Sequence, residues 1–141
     1  MNQNQYALVE CPRDAMQGLR HWVPTEVKIS YLQLLMGVGF DVLDAGSMVS
    51  PTAVPQMKDS AEVLSALDRS ASKTRISVVV ANDTGLQQAL DHEAVSVVGY
   101  PFSVSETFQK RNTRRTCEEA YGMIQPWAEA VNRSGRELWV Y

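Results

Sequence analysis

The chain has 141 residues, 45% hydrophobic and 21% charged, an ordinary soluble mixture with enough apolar material for one domain and a real core. Its formal net charge of −3 argues against a nucleic-acid or anionic-membrane surface, and no apolar run approaches the ~20 residues that span a bilayer. Residues 1–5 lack the basic start and apolar centre of a secretory signal. Cys11 and Cys117 show neither a disulfide framework nor metal-ligand spacing, so a reducing cytoplasm is the expected compartment.

Ala7, Leu8 and Val9 read as a short buried strand that Pro12 stops, because proline offers no N–H to a ladder. Arg13 and Asp14 follow at once, an opposite-charge pair at a strand's carboxyl end, where α/β folds gather ligands and chemistry. A surface Arg-Asp turn is the bland alternative. After a connecting segment, 18–24, the spacing predicts a helix over 25–36 with Val27, Tyr31, Leu34, Leu35 and Val38 on its apolar face, stopped by Gly37 and Gly39. Phe40, Val42, Leu43 and Ala45 give a second strand, with Asp44 and Ser47 at its carboxyl end. Two prolines keep 50–56 irregular. Asp59 with Glu62 reads as an N-cap and reciprocal glutamate starting a second helix, with Val63, Leu64 and Leu67 inward.

Residues 76–81 form a near-continuous apolar run, as in a strand buried on both faces. Residues 82–85 end it and open a third helix through Leu86 and Leu90; 95–100 is a fourth buried strand. A longer loop leads to the capping box of Thr116 and Glu119, and a fourth helix reaches Arg133, with Met123, Ile124, Trp127 and Val131 inward and Pro126 predicting a kink. Gly135 stops it, and residues 138–141 begin a fifth strand in which the chain ends. This alternation implies a parallel sheet with right-handed crossovers, either doubly wound or part of a barrel. No Gly-rich dinucleotide loop follows the first strand. An ending at a strand with no covering helix suits part of a barrel better than a finished doubly wound domain.

At this point the motifs ECPRDAMQ (10–17), VPTEVKI (23–29), SMVSPTAVPQM (47–57), SETFQKRN (105–112) and TCEEA (116–120) together resemble the amino-terminal half of 3-hydroxy-3-methylglutaryl-CoA (HMG-CoA) lyase. That family belongs to a metal-dependent (β/α)8 (TIM) barrel superfamily that also holds isopropylmalate and homocitrate synthases. The resemblance runs from about Tyr6 to Tyr141 and implies an α/β fold of about four and a half βα units, a partial barrel domain over 1–141 truncated in strand five. It implies carbon–carbon cleavage of HMG-CoA to acetyl-CoA and acetoacetate by a metal-assisted retro-aldol reaction. Arg13 would hold the thioester oxygen as enolate charge develops there. Asp14 matches a metal aspartate, a hard oxygen ligand suited to Mg²⁺ or Mn²⁺, and Gln17 a glutamine beside the site. Asp44, where the family commonly has glutamate, would orient Arg13 or a metal water.

Ser47, Asn82, Ser105 and Asn112 would line the acyl-CoA pocket, and the cluster of Lys110, Arg111, Arg114 and Arg115 could meet CoA phosphates or be a solvated face. Cys117 at a helix start has a lowered thiol pKa as one reading and simple capping geometry as the other. Cys11 reads as small and buried, and His21 and Trp22 as loop packing. Ala15 and Met16 depart from the family's Gly-Leu, and Trp139 stands where many relatives have arginine. The family's metal histidines, catalytic histidine, loop cysteine and last metal asparagine come from its second half, and His21 and His92 do not match them. The chain alone is therefore expected to carry part of a site, to bind metal weakly, and to act as a homo-oligomer or with a complementing second half-barrel. A non-catalytic half-barrel that binds acyl-CoA, and an aldol-type acyl-CoA synthase, are the competing readings.

Overall fold

The computed structural model describes residues 6–141; residues 1–5, read above for a targeting signal, lie outside the described residues. In chain order the elements are β1 (Val9–Glu10), α1 (Pro12–Gln17), α2 (Thr25–Met36), β2 (Val42–Ser47), a 3₁₀ turn (Pro55–Met57), α3 (Ser60–Ser65), β3 (Arg75–Val79), α4 (Asp83–Asp91), β4 (Val95–Tyr100), α5 (Glu106–Thr113), α6 (Cys117–Arg133) and β5 (Glu137–Val140). The five strands make one sheet in the order β1-β2-β3-β4-β5, all parallel. This is the sequential order expected of a barrel wedge.

Strand alternation divides the sheet into two faces. Leu43, Ala45, Ile76, Val78, Val95, Val98 and Tyr100 pack with α2, α3, α4 and α6 in one apolar core, which Leu32, Val63, Leu64, Ala89, Ala120, Trp127 and Val131 complete. The opposite, inner face carries Val42 and Asp44 on β2, Arg75, Ser77 and Val79 on β3, Val97 and Gly99 on β4, and Glu137 and Trp139 on β5, as the strand register requires. Across it Arg75 spans β4 to reach Glu137 at 2.6 Å, its guanidinium 5.9 Å from the Trp139 ring. Val97, on the strand between them, is fully buried.

Several sequence expectations need correction. The first strand is not buried: Leu8 is 63% exposed and Val9 lies at the surface, because β1 is an edge strand with one neighbour. Pro12 does more than end it. It takes the first position of α1, where a missing N–H costs nothing. The apolar face assigned to α2 is largely the wrong one. Val27, Tyr31, Leu34 and Val38 face outward, and the buried stripe is Lys28, Leu32 and Met36, with Ile29 and Leu35 partly covered. Both stripes have helical spacing, and a lysine at the head of the right one disguised it.

Lys28 is buried because its ammonium is fully engaged. It donates to the Gln56 carbonyl at 2.5 Å and to Asp59 at 2.7 Å, and sits 3.7 Å from the centre of the Trp22 ring. Asp59 is consequently no side-chain cap for α3; its second oxygen accepts from Thr25 at 2.8 Å. Gln56, also buried, accepts from the Val23 amide and donates to the carbonyls of Leu19 and His21. One polar cluster thus fastens segment 18–24 to the turn before α3, and Trp22 serves packing, as expected.

The loop before α6 contains a further helix, α5, held by polar contacts. Ser105 caps it, accepting from Phe108 N at 3.4 Å. Fully buried Gln109 accepts from Ser103 N and donates to Tyr100 Oη and Thr113 Oγ1. With almost no apolar face, α5 left no periodicity to read. At α6 the capping box of Thr116 and Glu119 is present in full, and Pro126 lies inside the helix.

Two outcomes are expected here. Lys28→Met should lower unfolding free energy by ~3 kcal/mol in urea titrations, since it strands a buried carboxylate; a loss below ~1 kcal/mol would show the pair is dispensable. Glu106, which accepts from Cys117 N and Lys110, has its carboxyl pulled down to about 2 by those bonds. A depressed carboxylate stabilises above its unfolded pKa and is lost as pH falls through the folded one. The α5–α6 junction should therefore loosen between about pH 4.5 and 2 in the native chain, and Glu106→Gln should remove that acid dependence in amide-exchange measurements.

Candidate functional site

Helix α1 follows β1 after one residue, so its first turn stands over the carboxyl end of the sheet, and Arg13 reaches β2. Its guanidinium meets Asp44 side-on: Nε lies 3.2 and 3.1 Å from the two carboxylate oxygens, and Nη2 lies 2.6 Å from Oδ2. Nη1 donates to Gln17 Oε1 at 3.0 Å and to Asp14 Oδ1 at 3.3 Å. Gln17 sits one helical turn after Arg13 and returns a 2.6 Å bond from Nε2 to Asp14 Oδ1. The four residues singled out for chemistry, Arg13, Asp14, Gln17 and Asp44, are one bonded cluster. Arg13 and Asp44 are buried, while the Asp14 side chain is 63% exposed.

Burial opposes the Arg13 cation, but the hydrogen bonds and charge of Asp44 outweigh it and raise its pKa. Burial pushes the Asp44 carboxyl above its usual range, and the same guanidinium limits that rise. A guanidinium has five N–H donors. The described contacts engage Nε, both hydrogens of Nη1 and one of Nη2. Among the described residues no acceptor meets the second N–H of Nη2. The β2–β3 register shifts between Asp44 and Gly46, a bulge next to the site of the kind that re-aims a side chain.

The cluster opens into a cleft of about 1000 Å³. Of the other expected residues, Ser47, Asn82 and Asn112 line it. Ser47 is buried and spends its hydroxyl proton on the Val79 carbonyl; Asn82 caps α4, its Oδ1 accepting from Gly85 N at 2.8 Å. Ser105 is not on the wall, because it caps α5. Arg111, Arg114 and Arg115 stand along the cleft, with Arg114 in the left-handed region at φ 60°. Lys110 instead pairs with Glu106 at 3.0 Å.

Cys11 is exposed, contrary to expectation, at the cap of α1. The Cys117 thiol, which donates to the Ser103 carbonyl at 3.2 Å, is raised, not lowered, because the neighbouring Glu106 carboxylate disfavours the thiolate. His92 contacts Ser65 and the Ala61 carbonyl and accepts from Ala94 N, away from the cleft wall. Tyr141 and Phe108 also line the cleft; sequence reading placed neither.

The divalent metal implied by the resemblance meets an incomplete donor set. Asp14 presents one carboxylate, Asp44 is committed to Arg13, and among the described residues no group of three His, Cys, Asp or Glu side chains could hold a metal ion. These residues do not by themselves fit a metal centre.

No protein-family profile matches the chain. It is 36% identical to the cytoplasmic HMG-CoA lyase of Danio rerio over 124 residues, covering 88% of this chain and 36% of that protein. It is 37% identical to the mitochondrial enzyme of Mus musculus over 139 residues, covering 94% and 41%. Among solved structures, the HMG-CoA lyase of Brucella melitensis superposes with a TM-score of 0.87 at 30% identity, over 98% of this chain and 49% of that one. The HMG-CoA lyase of Acinetobacter baumannii, solved with coenzyme A and 3-methylmalate, superposes with a TM-score of 0.85 at 28% identity, over 95% and 44%. The chain therefore spans about two fifths of the length of these curated relatives. By sequence and by fold it is similar to the HMG-CoA lyases, matching the amino-terminal part of their TIM barrel.

Proposed function

We propose that this chain supplies the arginine–carboxylate side of an acyl-CoA carbon–carbon lyase site, acting on HMG-CoA or a close relative to release acetyl-CoA and acetoacetate. The observation that carries the reading is the single uncommitted N–H of a buried, carboxylate-braced Arg13 at the mouth of a basic cleft. In a retro-aldol cleavage the proton leaves the tertiary hydroxyl, the C–C bond breaks, and its electron pair becomes the enolate of the departing thioester. A rigid cation at the thioester oxygen gains strength as that charge develops, which lowers the barrier more than it tightens ground-state binding. Asp44 holds Arg13 in place, and Gln17 sets the Asp14 carboxylate beside it. Arg111, Arg114 and Arg115 suit the phosphates of coenzyme A, and Ser47, Asn82 and Asn112 the acyl arm.

A divalent cation, Mg²⁺ or Mn²⁺, would find Asp14 as its one ligand among the described residues and would be held weakly by it, and the chemistry it would supply is positive charge at a hydroxyl oxygen. In this reading residues 1–141 are the amino-terminal part of a (β/α)8 barrel domain running into strand five, and the location is cytoplasmic. The remaining ligands and the proton acceptor come from a complementing second half-barrel, or the chain self-associates. The outward Val27, Tyr31, Leu34 and Val38 stripe of α2 is exposed and supports a protein partner.

The 141-residue polypeptide alone should release no acetoacetate from HMG-CoA with Mg²⁺ or Mn²⁺, and mixing with a complementary second half should restore turnover. Turnover by the pure chain that vanishes on Asp14→Ala would mean a self-sufficient site. In the active assembly, Arg13→Met should cut kcat by about 10²–10³ with little change in KM; a loss confined to KM would make the residue a binding group only. Asp44→Asn should cost ~3 kcal/mol of stability by stranding the buried cation, against less than ~1 kcal/mol for Asp14→Asn at the exposed position. Coenzyme A binding without turnover after complementation would favour a non-catalytic acyl-CoA-binding half-barrel.

A further inference from the structure

Tyr141 enters the cleft from the end of β5. Its amide donates to the Tyr100 carbonyl at 3.2 Å and its own carbonyl accepts from Phe102 N at 2.8 Å, so the backbone continues the β4–β5 pairing. Strand alternation then turns its side chain to the inner face, the face of Trp139 and Asp44. There the ring lies against Gly99 of β4: a Cβ at that position would sit 2.8 Å from the phenol oxygen and 3.0 Å from Cε1. Only glycine leaves room for a Tyr141 ring in this place. The residue as a whole is more than half exposed. Burial, with the Asp44 carboxylate adding to it, pushes the phenol up to about 12, against the opposing pull of Arg13. The hydroxyl keeps its proton at any physiological pH, and it lines the same cleft as Arg13.

We propose that Tyr141 is a ligand-contacting residue of this cleft, its phenol donating a hydrogen bond to an anionic oxygen of a hydroxy-dicarboxylate acyl group held by Arg13. The inference rests on the acyl-CoA reading of the cleft and deepens it. The free Nη2 hydrogen of Arg13 and the phenol hydrogen are two donors at one mouth, a pairing that suits a carboxylate or enolate oxygen. The phenolate is disfavoured beside Asp44, so Tyr141 serves as a donor and not as a base.

The test uses the full 141-residue chain, labelled with ¹³C-tyrosine and titrated separately with 3-methylmalate and with coenzyme A. The Tyr141 ring resonance, assigned through Tyr141→Phe, should move on addition of 3-methylmalate. Tyr141→Phe keeps the ring and removes only the donor; it should weaken 3-methylmalate about tenfold, the worth of one hydrogen bond to an anion, and leave coenzyme A unchanged. Gly99→Ala, which displaces the phenol oxygen, should reproduce that loss with unchanged circular dichroism. The proposal is overturned if 3-methylmalate does not bind, or binds Tyr141→Phe as tightly as the native chain. The parallel coenzyme A titration then separates the two levels: retained binding leaves the cleft reading standing, and lost binding takes both down.

Discussion

The side-on pairing of Arg13 with Asp44 is the constraint on which the mouth of this sheet depends. Taking a guanidinium and a carboxylate out of water is costly, and the pair is tolerable only when nearly every donor and oxygen is matched. Here Nε and Nη2 share one carboxylate, and Nη1 is shared between Gln17 and Asp14. A six-residue helix such as α1 has no stability of its own. Its docking onto β2 through this pair, with Pro12 and Met16 buried beside Arg13, fixes where Asp14 and Gln17 stand. The same contacts that hold the backbone together therefore set the charge pattern of the cleft.

A second buried ion pair, Lys28 with Asp59, shows the contrasting use of the same chemistry. Its ammonium is spent on a carboxylate, a carbonyl and an aromatic face, and the carboxylate on Lys28 and Thr25. With its partners saturated inside the protein, it is a fastener joining α2 to the start of α3. Arg13 keeps one donor at the cleft. In the proposed reading, what separates the structural cation from the one at the site is whether its hydrogen-bonding capacity is exhausted internally.

Much of this was legible in the sequence, and the limits have physical causes. The parallel order of strands followed from buried apolar runs alternating with helical periodicity, and α2 and β4 were placed with their observed bounds because glycine, proline and apolar punctuation mark them. Arg13 and Asp14 stood out as an opposite-charge pair at a strand's carboxyl end, which by itself reads equally as a surface turn, and the motif resemblance added Gln17 and Asp44; the structure brings the four together. Three things escaped. Helix α5 is polar on nearly all sides and leaves no periodic trace. The buried face of α2 begins with Lys28, a residue that every burial rule places outside unless its partner, thirty-one positions away, is already known. Ser105 and Asp59 are capping residue types in capping positions, yet one is spent at a helix cap, off the cleft wall, and the other on an ion pair in place of a cap. Spacing cannot distinguish these uses, because they depend on what arrives from elsewhere in the chain.

Tyr141 belongs to a different kind of blindness. A tyrosine at the end of a strand is ordinary, and a glycine inside an apolar strand reads as a weak point or a bulge. Their meaning lies in the pairing register, which puts Trp139 beside Gly99 and carries Tyr141 one step beyond. In a parallel sheet each strand contributes alternate side chains to the inner face, and space there is shared between neighbours. A bulky residue on β5 can reach over β4 only where β4 gives up its own side chain. The glycine is thus the negative image of the tyrosine. The inner face is filled by this exchange of volumes: Arg75 and Glu137 bridge over Val97 at one end, and Tyr141 crosses Gly99 at the other. The first closes the sheet interior with a charge pair. The second brings a neutral donor to the edge of a buried cation, so packing and chemistry at the carboxyl end of the sheet are set by one spatial constraint.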